Sequence, residues 1–230
     1  MRFFLKTLII ISFSFAYNIV SSEAFKLSET KDNSTKIIFD KPEISISKDD
    51  NGFSKFDTND MIGKTIDDSF TEFPIFSSMF QMTPGTEYEI DYEVLSSHII
   101  ENIDFKSIDL SDGTVYPIEN ISLSNPLIMR DIVLGQVSFT PYKYYYEDKK
   151  LEVYDAVEII ITESNQIQSS YFLPEKKSFI FEELYQNFII NYTKSNRDED
   201  YQIPSILYIC GGNSINNAYF QELVNWRHKQ

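Results

Sequence analysis

The feature that most constrains this chain is the alternation of apolar and acidic residues over 88–94, which read YEIDYEV. Successive side chains of a β-strand point to opposite faces, so this segment predicts a strand with one buried face, as in an antiparallel sheet. Leu151, Val153, Val157 and other apolar residues up to position 161 repeat the same period. Asp155 interrupts them, which predicts a bulge or a strand edge at that position.

Segments 133–139 and 151–161 are separated by Pro141 and the polar run 147–150, so we expect a long hairpin that joins them. Pro and Gly residues punctuate the rest of this region at turn-like intervals. Short strands with turns between them are typical of two packed antiparallel sheets. The sequence therefore predicts a mainly β fold, an antiparallel β-sandwich domain over residues 25–192.

Near the end of this domain, residues 178–191 have helical spacing. The pattern predicts a helix that buries an apolar side and turns Glu182 and Glu183 outward. The apolar side consists of Phe179, Phe181, Leu184, Tyr185 and Phe188.

The composition excludes some classes of protein. The chain has 230 residues, with 35 acidic against 20 basic side chains and a net charge of -15, so we expect no nucleic-acid partner. Its hydrophobic content of 42% is enough for a core, which excludes a disordered acidic tail.

The first 24 residues have the pattern of a signal peptide, with Arg2 and Lys6 before an apolar stretch over 8–20. Small residues at Ser22 and Ala24 predict a cut after Ala24. An uncleaved anchor is the alternative, but a spanning helix needs about 20 apolar residues, more than this stretch offers. We therefore expect recognition by export machinery, no stable membrane span and a secreted or cell-surface location.

Candidate sites for chemistry are few. Cys210 ends an apolar run and is interpreted as a buried small hydrophobe; a nucleophile paired with His98 or His228 is the alternative. The acidic stretches at 49–50, 57–60 and 67–68 are interpreted as solvated loops, with calcium binding left open. We expect no catalytic residue, no cofactor and no metal site in this chain.

Residues 193–203 are mostly polar and predict a linker, and 204–230 read as a strand, a Gly-Gly turn and a helix. A single strand and helix cannot bury both faces of a parallel strand. We therefore expect these residues to open an α/β domain that continues beyond Gln230. Lys194 and Arg197 lie in the linker and are the candidate processing sites for maturation.

Several segments, taken in order, resemble the precursors of gingipain-type cysteine peptidases. They are 73–75, 83–88, 129–142 (MRDIVLGQVSFTPY), 151–154, 204–209 and 223–227. The resemblance covers about residues 70–230.

The resemblance implies a pro-domain that assists folding and keeps the peptidase latent, followed by the first strand and helix of a caspase-like catalytic domain. That domain would be the intramolecular partner of the pro-domain. The catalytic His and Cys of the family lie further along than this chain extends, so Cys210 does not take the role of nucleophile. A free-standing secreted β-sandwich module that binds ligands or inhibits peptidases is the alternative.

Overall fold

A computed structural model describes residues 23–58, 62–65, 71–106, 114–166, 173, 176–194, 201–202 and 210–227. The described part is built mainly from antiparallel strands. The strands are β1 (Phe25–Lys31), β2 (Ser34–Asp40), β3 (Ile46–Lys48), β4 (Ser54–Phe56), β5 (Gly63–Lys64), β6 (Pro74–Met82), β7 (Thr86–Glu101), β8 (Val115–Tyr116), β9 (Ile121–Leu123), β10 (Leu127–Met129), β11 (Ile132–Phe139), β12 (Tyr142–Tyr145) and β13 (Lys150–Gln166).

The strands form two larger sheets and one small hairpin. In the first sheet the order is β1-β2-β13-β12-β8, and β7 pairs with β13. In the second sheet the order is β10-β11-β6-β5, and β9 also pairs with β11, while β3 and β4 pair with each other. This arrangement confirms the predicted mainly β class with an antiparallel sandwich.

Strand β13 follows the predicted alternation, and β7 follows it as far as Tyr92, whereas Val94 is 37% exposed. Tyr88, Ile90 and Tyr92 pack against the core from β7, and the acidic residues between them are exposed. The pairing of β13 with β7 shifts register between Tyr154 and Ala156, so the predicted irregularity at Asp155 is a bulge.

The predicted long hairpin between 133–139 and 151–161 is wrong, because β11 and β13 lie in different sheets. The hairpin is formed by β12 and β13, with Tyr145 paired to Lys150 across the turn. Between β11 and β12 the chain crosses from one sheet to the other at Thr140 and Pro141. The buried Asn120 amide holds this corner, since its Nδ2 donates to the carbonyl oxygens of Thr140 at 2.6 Å and Tyr142 at 2.9 Å.

The core between the sheets is rich in aromatic rings. Phe39 is fully buried, and its ring centroid lies 5.0 Å from Phe25, 5.4 Å from Phe76 and 5.0 Å from Phe139. Ring pairs at such distances add attraction beyond the burial of their apolar area. A second, mostly aromatic cluster lies around β12 and contains Phe56, Phe73, Phe105, Tyr116, Tyr142, Tyr144, Tyr146, Leu151 and Val153.

Helix α1 (Phe179–Phe188) covers the other face of the second sheet. Val133 and Val137 of β11 enter the core between the sheets, whereas Ile132 and Leu134 form a separate cluster with residues of α1. Because adjacent residues of a strand face opposite sides, α1 forms a third layer on the sandwich.

The C-terminal part contains a 3-10 turn (Ser214–Asn216) and helix α2 (Ala218–Arg227). The Oδ1 of Asn217 accepts from the backbone N–H groups of Tyr219 at 3.0 Å and Phe220 at 3.3 Å, so Asn217 caps the start of this helix. The strand predicted before this helix falls on 206–209, outside the described residues.

Candidate docking surface on helix α1

Helix α1 packs onto the sheet through polar side chains. Tyr185 is fully buried, and its hydroxyl donates to Oδ1 of Asp131 at 2.5 Å. The other oxygen of Asp131 accepts from the backbone N–H of Ser178, just before the helix, at 2.9 Å. One buried carboxylate thus fixes both the start of α1 and its rotation about its own axis.

Glu182 is the second carboxylate under the helix, with 1% of its surface exposed. Its Oε1 accepts from the Tyr192 hydroxyl at 2.8 Å, and Oε2 has no hydrogen-bond partner in the described part of the chain. Burial, together with the hydrogen bonds to the two carboxylates, raises the pKa of both Tyr185 and Tyr192. The prediction that Glu182 faces outward is therefore wrong.

The chain after α1 is fastened to the sheet as well. The backbone N–H of Ile190 donates to the carbonyl of Met79 at 2.9 Å. The Asn191 side chain accepts from the N–H of Gln81 at 2.6 Å and donates to the Gln81 carbonyl at 2.9 Å. Both ends of the helix are therefore held.

With Glu182 and Tyr185 inside, α1 turns most of its apolar residues outward. The predicted apolar side is wrong for three residues, and only Tyr185 of that set is fully buried. We call the exposed set the α1 outer face; its exposed fractions are 63% for Phe179, 66% for Ile180, 44% for Leu184 and 43% for Phe188. Ile180, Leu184 and Phe188 are spaced four residues apart, so they form one row along the helix.

One side of this row is bordered by the hairpin of β10 and β11. Arg130 occupies its turn with a φ of 56°, in the left-handed region. Its guanidinium carbon lies 4.4 Å from the ring centroid of Phe181, a cation–π contact with α1. Leu127 and Ile128 of β10 are also exposed.

The first turn of α1 is bordered by residues from the predicted linker. The ring of Tyr201 lies 5.4 Å from that of Phe179. Gln202 donates from its backbone N–H to the carbonyl of Lys177 at 2.8 Å and from Nε2 to that of Lys176 at 2.5 Å. The end of the linker therefore returns to the start of α1, a contact that the polar composition of 193–203 did not predict.

At the other end of α1 lies a cleft of 280 Å³. It is lined by Glu23, Phe25, Ser78, and residues 186–190. The beginning of β1 and the end of α1 thus meet at one site.

Two of the three processing candidates, Ala24 and Lys194, lie within the described residues. Ala24 is buried beside this cleft, and its carbonyl accepts from the N–H of Asp40 at 2.9 Å. Lys194 is exposed two residues after Tyr192. Arg197 lies outside the described residues.

The described residues offer no catalytic or metal centre. Cys210 is half-buried, and Nδ1 of His98 pairs with Oδ2 of Asp155 at 2.6 Å, with no hydrogen bond from His98 to Cys210. His228 is outside the described part. Asp57 accepts hydrogen bonds from the hydroxyls of Ser45 and Ser47, and within the described ranges no three His, Cys, Asp or Glu residues are arranged to hold a metal ion. The same ranges include no helix with the length and hydropathy of a membrane span.

The sequence interpretation missed the residues that orient α1. Glu182, Tyr185 and Ile189 have helical spacing, and this spacing was the available signal for the inner face of α1. Asp131 is 54 residues from Tyr185, so no local pattern points to their contact.

The region of the chain that contains α1 matches a known protein family. Residues 91–198 match the family model Propeptide_C25. The solved complex of the pro- and mature domains of RgpB from Porphyromonas gingivalis has a similar fold, with a TM-score of 0.54 and 18% identity over 73% of this chain and 97% of that chain. The chain contains a gingipain-type peptidase propeptide.

A second solved structure is similar to this propeptide at a lower level. It concerns the zymogenic latency of gingipain K from Porphyromonas gingivalis, with a TM-score of 0.47 and 10% identity over 61% of this chain and 92% of that chain. The search of curated proteins returned no match. The family of the propeptide thus rests on the match over 91–198, and the RgpB complex supports its fold.

Proposed function

We propose that residues 25–192 are the pro-domain of a secreted gingipain-type cysteine peptidase zymogen. The pro-domain assists folding of the peptidase and keeps it latent by covering its active-site cleft. The observation that carries this proposal is the match of residues 91–198 to the propeptide family, on a chain folded as an antiparallel sandwich. The peptidase domain that it inhibits is encoded downstream and begins within 204–230.

Two further observations support an inhibitory rather than a catalytic role. Among the described residues, His98 pairs with Asp155, and no hydrogen bond joins it to Cys210. The described residues also include an exposed apolar row on α1, the kind of surface that proteins use to bind other proteins. The RgpB structure is a complex of pro- and mature domains, and the same type of association is proposed here.

Export and maturation complete the proposal. Residues 1–24 direct export and are removed after Ala24, and a second cut at Arg197 or Lys194 separates pro-domain and peptidase. Lys194 is exposed and lies outside regular secondary structure, as a site of limited proteolysis must.

The test is to express the natural reading frame through and past Gln230 and to follow thiol-dependent peptidase activity. We expect a latent precursor, activation when the linker is cut, and a mature N-terminus within 195–204. Adding the 230-residue chain to the activated peptidase should restore inhibition. An activated enzyme that the chain does not inhibit, or a reading frame without a peptidase, would contradict the proposal.

The alternative is a free-standing secreted sandwich that binds ligands or inhibits peptidases encoded elsewhere. The exposed apolar row on α1 is compatible with it, since such a module also needs a docking surface. The same experiment separates the two functions, because an immediate stop codon after Gln230 leaves only the alternative.

A further inference from the structure

We infer that the α1 outer face is the surface by which this chain docks onto its own peptidase domain, through an apolar patch with an acidic rim on that domain. The inference rests on the proposed function and adds to it the residues of the interface.

The first argument is energetic. Burying large apolar side chains stabilises a folded protein, and the outer face leaves four such side chains 43–66% exposed. Single exposed apolar residues are ordinary on protein surfaces, but a contiguous row of them is typical of an interaction site. Ile180, Leu184 and Phe188 form such a row.

The second argument is that the row cannot turn inward. A helix held only by apolar contacts could rotate until the row packs on the sheet. Here hydrogen bonds join Tyr185 to Asp131 and Glu182 to Tyr192. Two more join the Asn191 side chain to the backbone N–H and carbonyl of Gln81. Rotation would break these hydrogen bonds and leave buried polar groups unpaired, which is unfavourable.

The third argument identifies the occupant. The chain that leads to the proposed peptidase domain already touches the first turn of α1, through Tyr201 on Phe179 and Gln202 on the carbonyl oxygens of 176–177. Whatever follows Gln202 therefore starts beside the outer face. A domain of the same chain, tethered at this point, has a high effective concentration for that surface.

The fourth argument is charge. The chain as a whole carries -15, yet the basic residues Arg130, Lys176 and Lys177 lie beside the first turns of α1. Glu183 is the exposed carboxylate of the helix. An apolar row within a basic rim is complementary to an apolar patch within an acidic rim, since rim charges steer and orient association.

The experiment compares two matched double variants of the 230-residue chain. I180S/L184S removes the middle of the outer face, and L95S/I99S removes an exposed Leu and an exposed Ile from β7 in the first sheet. The binding partner is the activated peptidase that the full reading frame yields once its linker is cut. We expect I180S/L184S to raise the Kd by about tenfold or more and L95S/I99S to leave it within about twofold.

Hydrogen exchange of the unmodified chain, with and without that peptidase, gives a second measurement that needs no variant. The backbone amides of α1 should exchange more slowly in the complex, and those of β7 should not change. Circular dichroism shows whether each variant keeps the fold of the parent chain.

The outcomes separate the inference from the function. Inhibition by the parent chain with equal binding of both variants, or with no protection of α1, overturns the inference and leaves the pro-domain function standing. A parent chain that neither binds nor inhibits overturns both.

Discussion

The core between the sheets and the layer under α1 use the same residue types in opposite ways. In the core, aromatic rings such as Phe39 are buried and acidic residues such as Glu89 are exposed. Under α1, Glu182 is buried, while Phe179 and Leu184 face water. The first arrangement needs no specific partner for each group, whereas the second depends on particular hydrogen bonds.

The difference shows that apolar burial and polar orientation are separated in this molecule. The core obtains stability from apolar burial, which tolerates small changes of shape. The α1 layer obtains orientation from polar contacts that hold an apolar row outward. A domain that binds another domain through an apolar row must keep that row exposed in the free state. The polar contacts under α1 have this effect.

The largest effect on stability is expected from one member of a matched pair of phenylalanine substitutions. Phe39→Ala removes a fully buried ring and should reduce the free energy of unfolding by about 3–5 kcal/mol. Phe179→Ala removes an exposed ring and should change it by less than about 0.5 kcal/mol. Urea unfolding of both variants measures this, and similar losses would mean that Phe179 belongs to the folded core.

Next in size is the effect of Tyr185→Phe. Its hydroxyl donates to the carboxylate of Asp131, so its removal leaves one oxygen of a buried charge unpaired. We expect a loss of about 2 kcal/mol in the free energy of unfolding, with faster hydrogen exchange in α1 than in β13. An unchanged stability would show that Asp131 does not orient the helix.

Tyr142→Phe should raise the free energy of unfolding, whereas Tyr185→Phe lowers it. The Tyr142 hydroxyl is buried in the second aromatic cluster without a hydrogen-bond partner in the described part of the chain, so its removal should stabilise the fold by about 1 kcal/mol at pH 7. Urea unfolding checks this, and destabilisation would reveal a partner for the hydroxyl.

The same residue gives a pH dependence. Burial raises the pKa of Tyr142, so the folded state keeps the hydroxyl neutral where an unfolded tyrosine ionises, above about pH 10. Below that pH the tyrosine is neutral in both states, and its ionisation does not affect the free energy of unfolding. As the pH rises beyond it, the unfolded state ionises and the free energy of unfolding falls. The advantage of Tyr142→Phe over the parent should therefore be larger at pH 11 than at pH 7, and an equal advantage at both would contradict the burial of this hydroxyl.

The smallest effect is expected for Arg130→Ala. It removes the cation–π contact with Phe181, which should cost about 0.5–1 kcal/mol because Arg130 is exposed. Hydrogen exchange should increase in α1. As a control, Lys149→Ala changes a residue with a similar positive φ in another turn and should leave α1 unaffected.

The sequence predicted much of the fold because strand patterns are local. The alternation over 88–92 and the irregularity at Asp155 each depend on neighbours within a few residues. The error in the hairpin has a physical reason, since Asn120 holds the corner at Thr140 and Pro141 from some 20 residues away. Strand spacing alone does not tell which sheet a strand joins.

The candidate site was less predictable than the fold. Helical spacing placed α1 correctly, and residues 129–142 and 151–154 contributed to the resemblance to gingipain-type precursors, which the family match confirmed for residues 91–198. The sequence did not tell which face of α1 is buried, because an amphipathic pattern assumes that the apolar side goes inward.

By itself, then, the sequence determined the strand pattern, the helix and the family of the propeptide, because each depends on local spacing or on the order of motifs. Only the tertiary structure decided that Asp131 meets Tyr185, that Glu182 is buried and that Ile180 and Leu184 face outward. The physical reason is that a buried carboxylate is stable only where distant hydroxyl and N–H groups converge on it, and that convergence exists only once the sheets have packed.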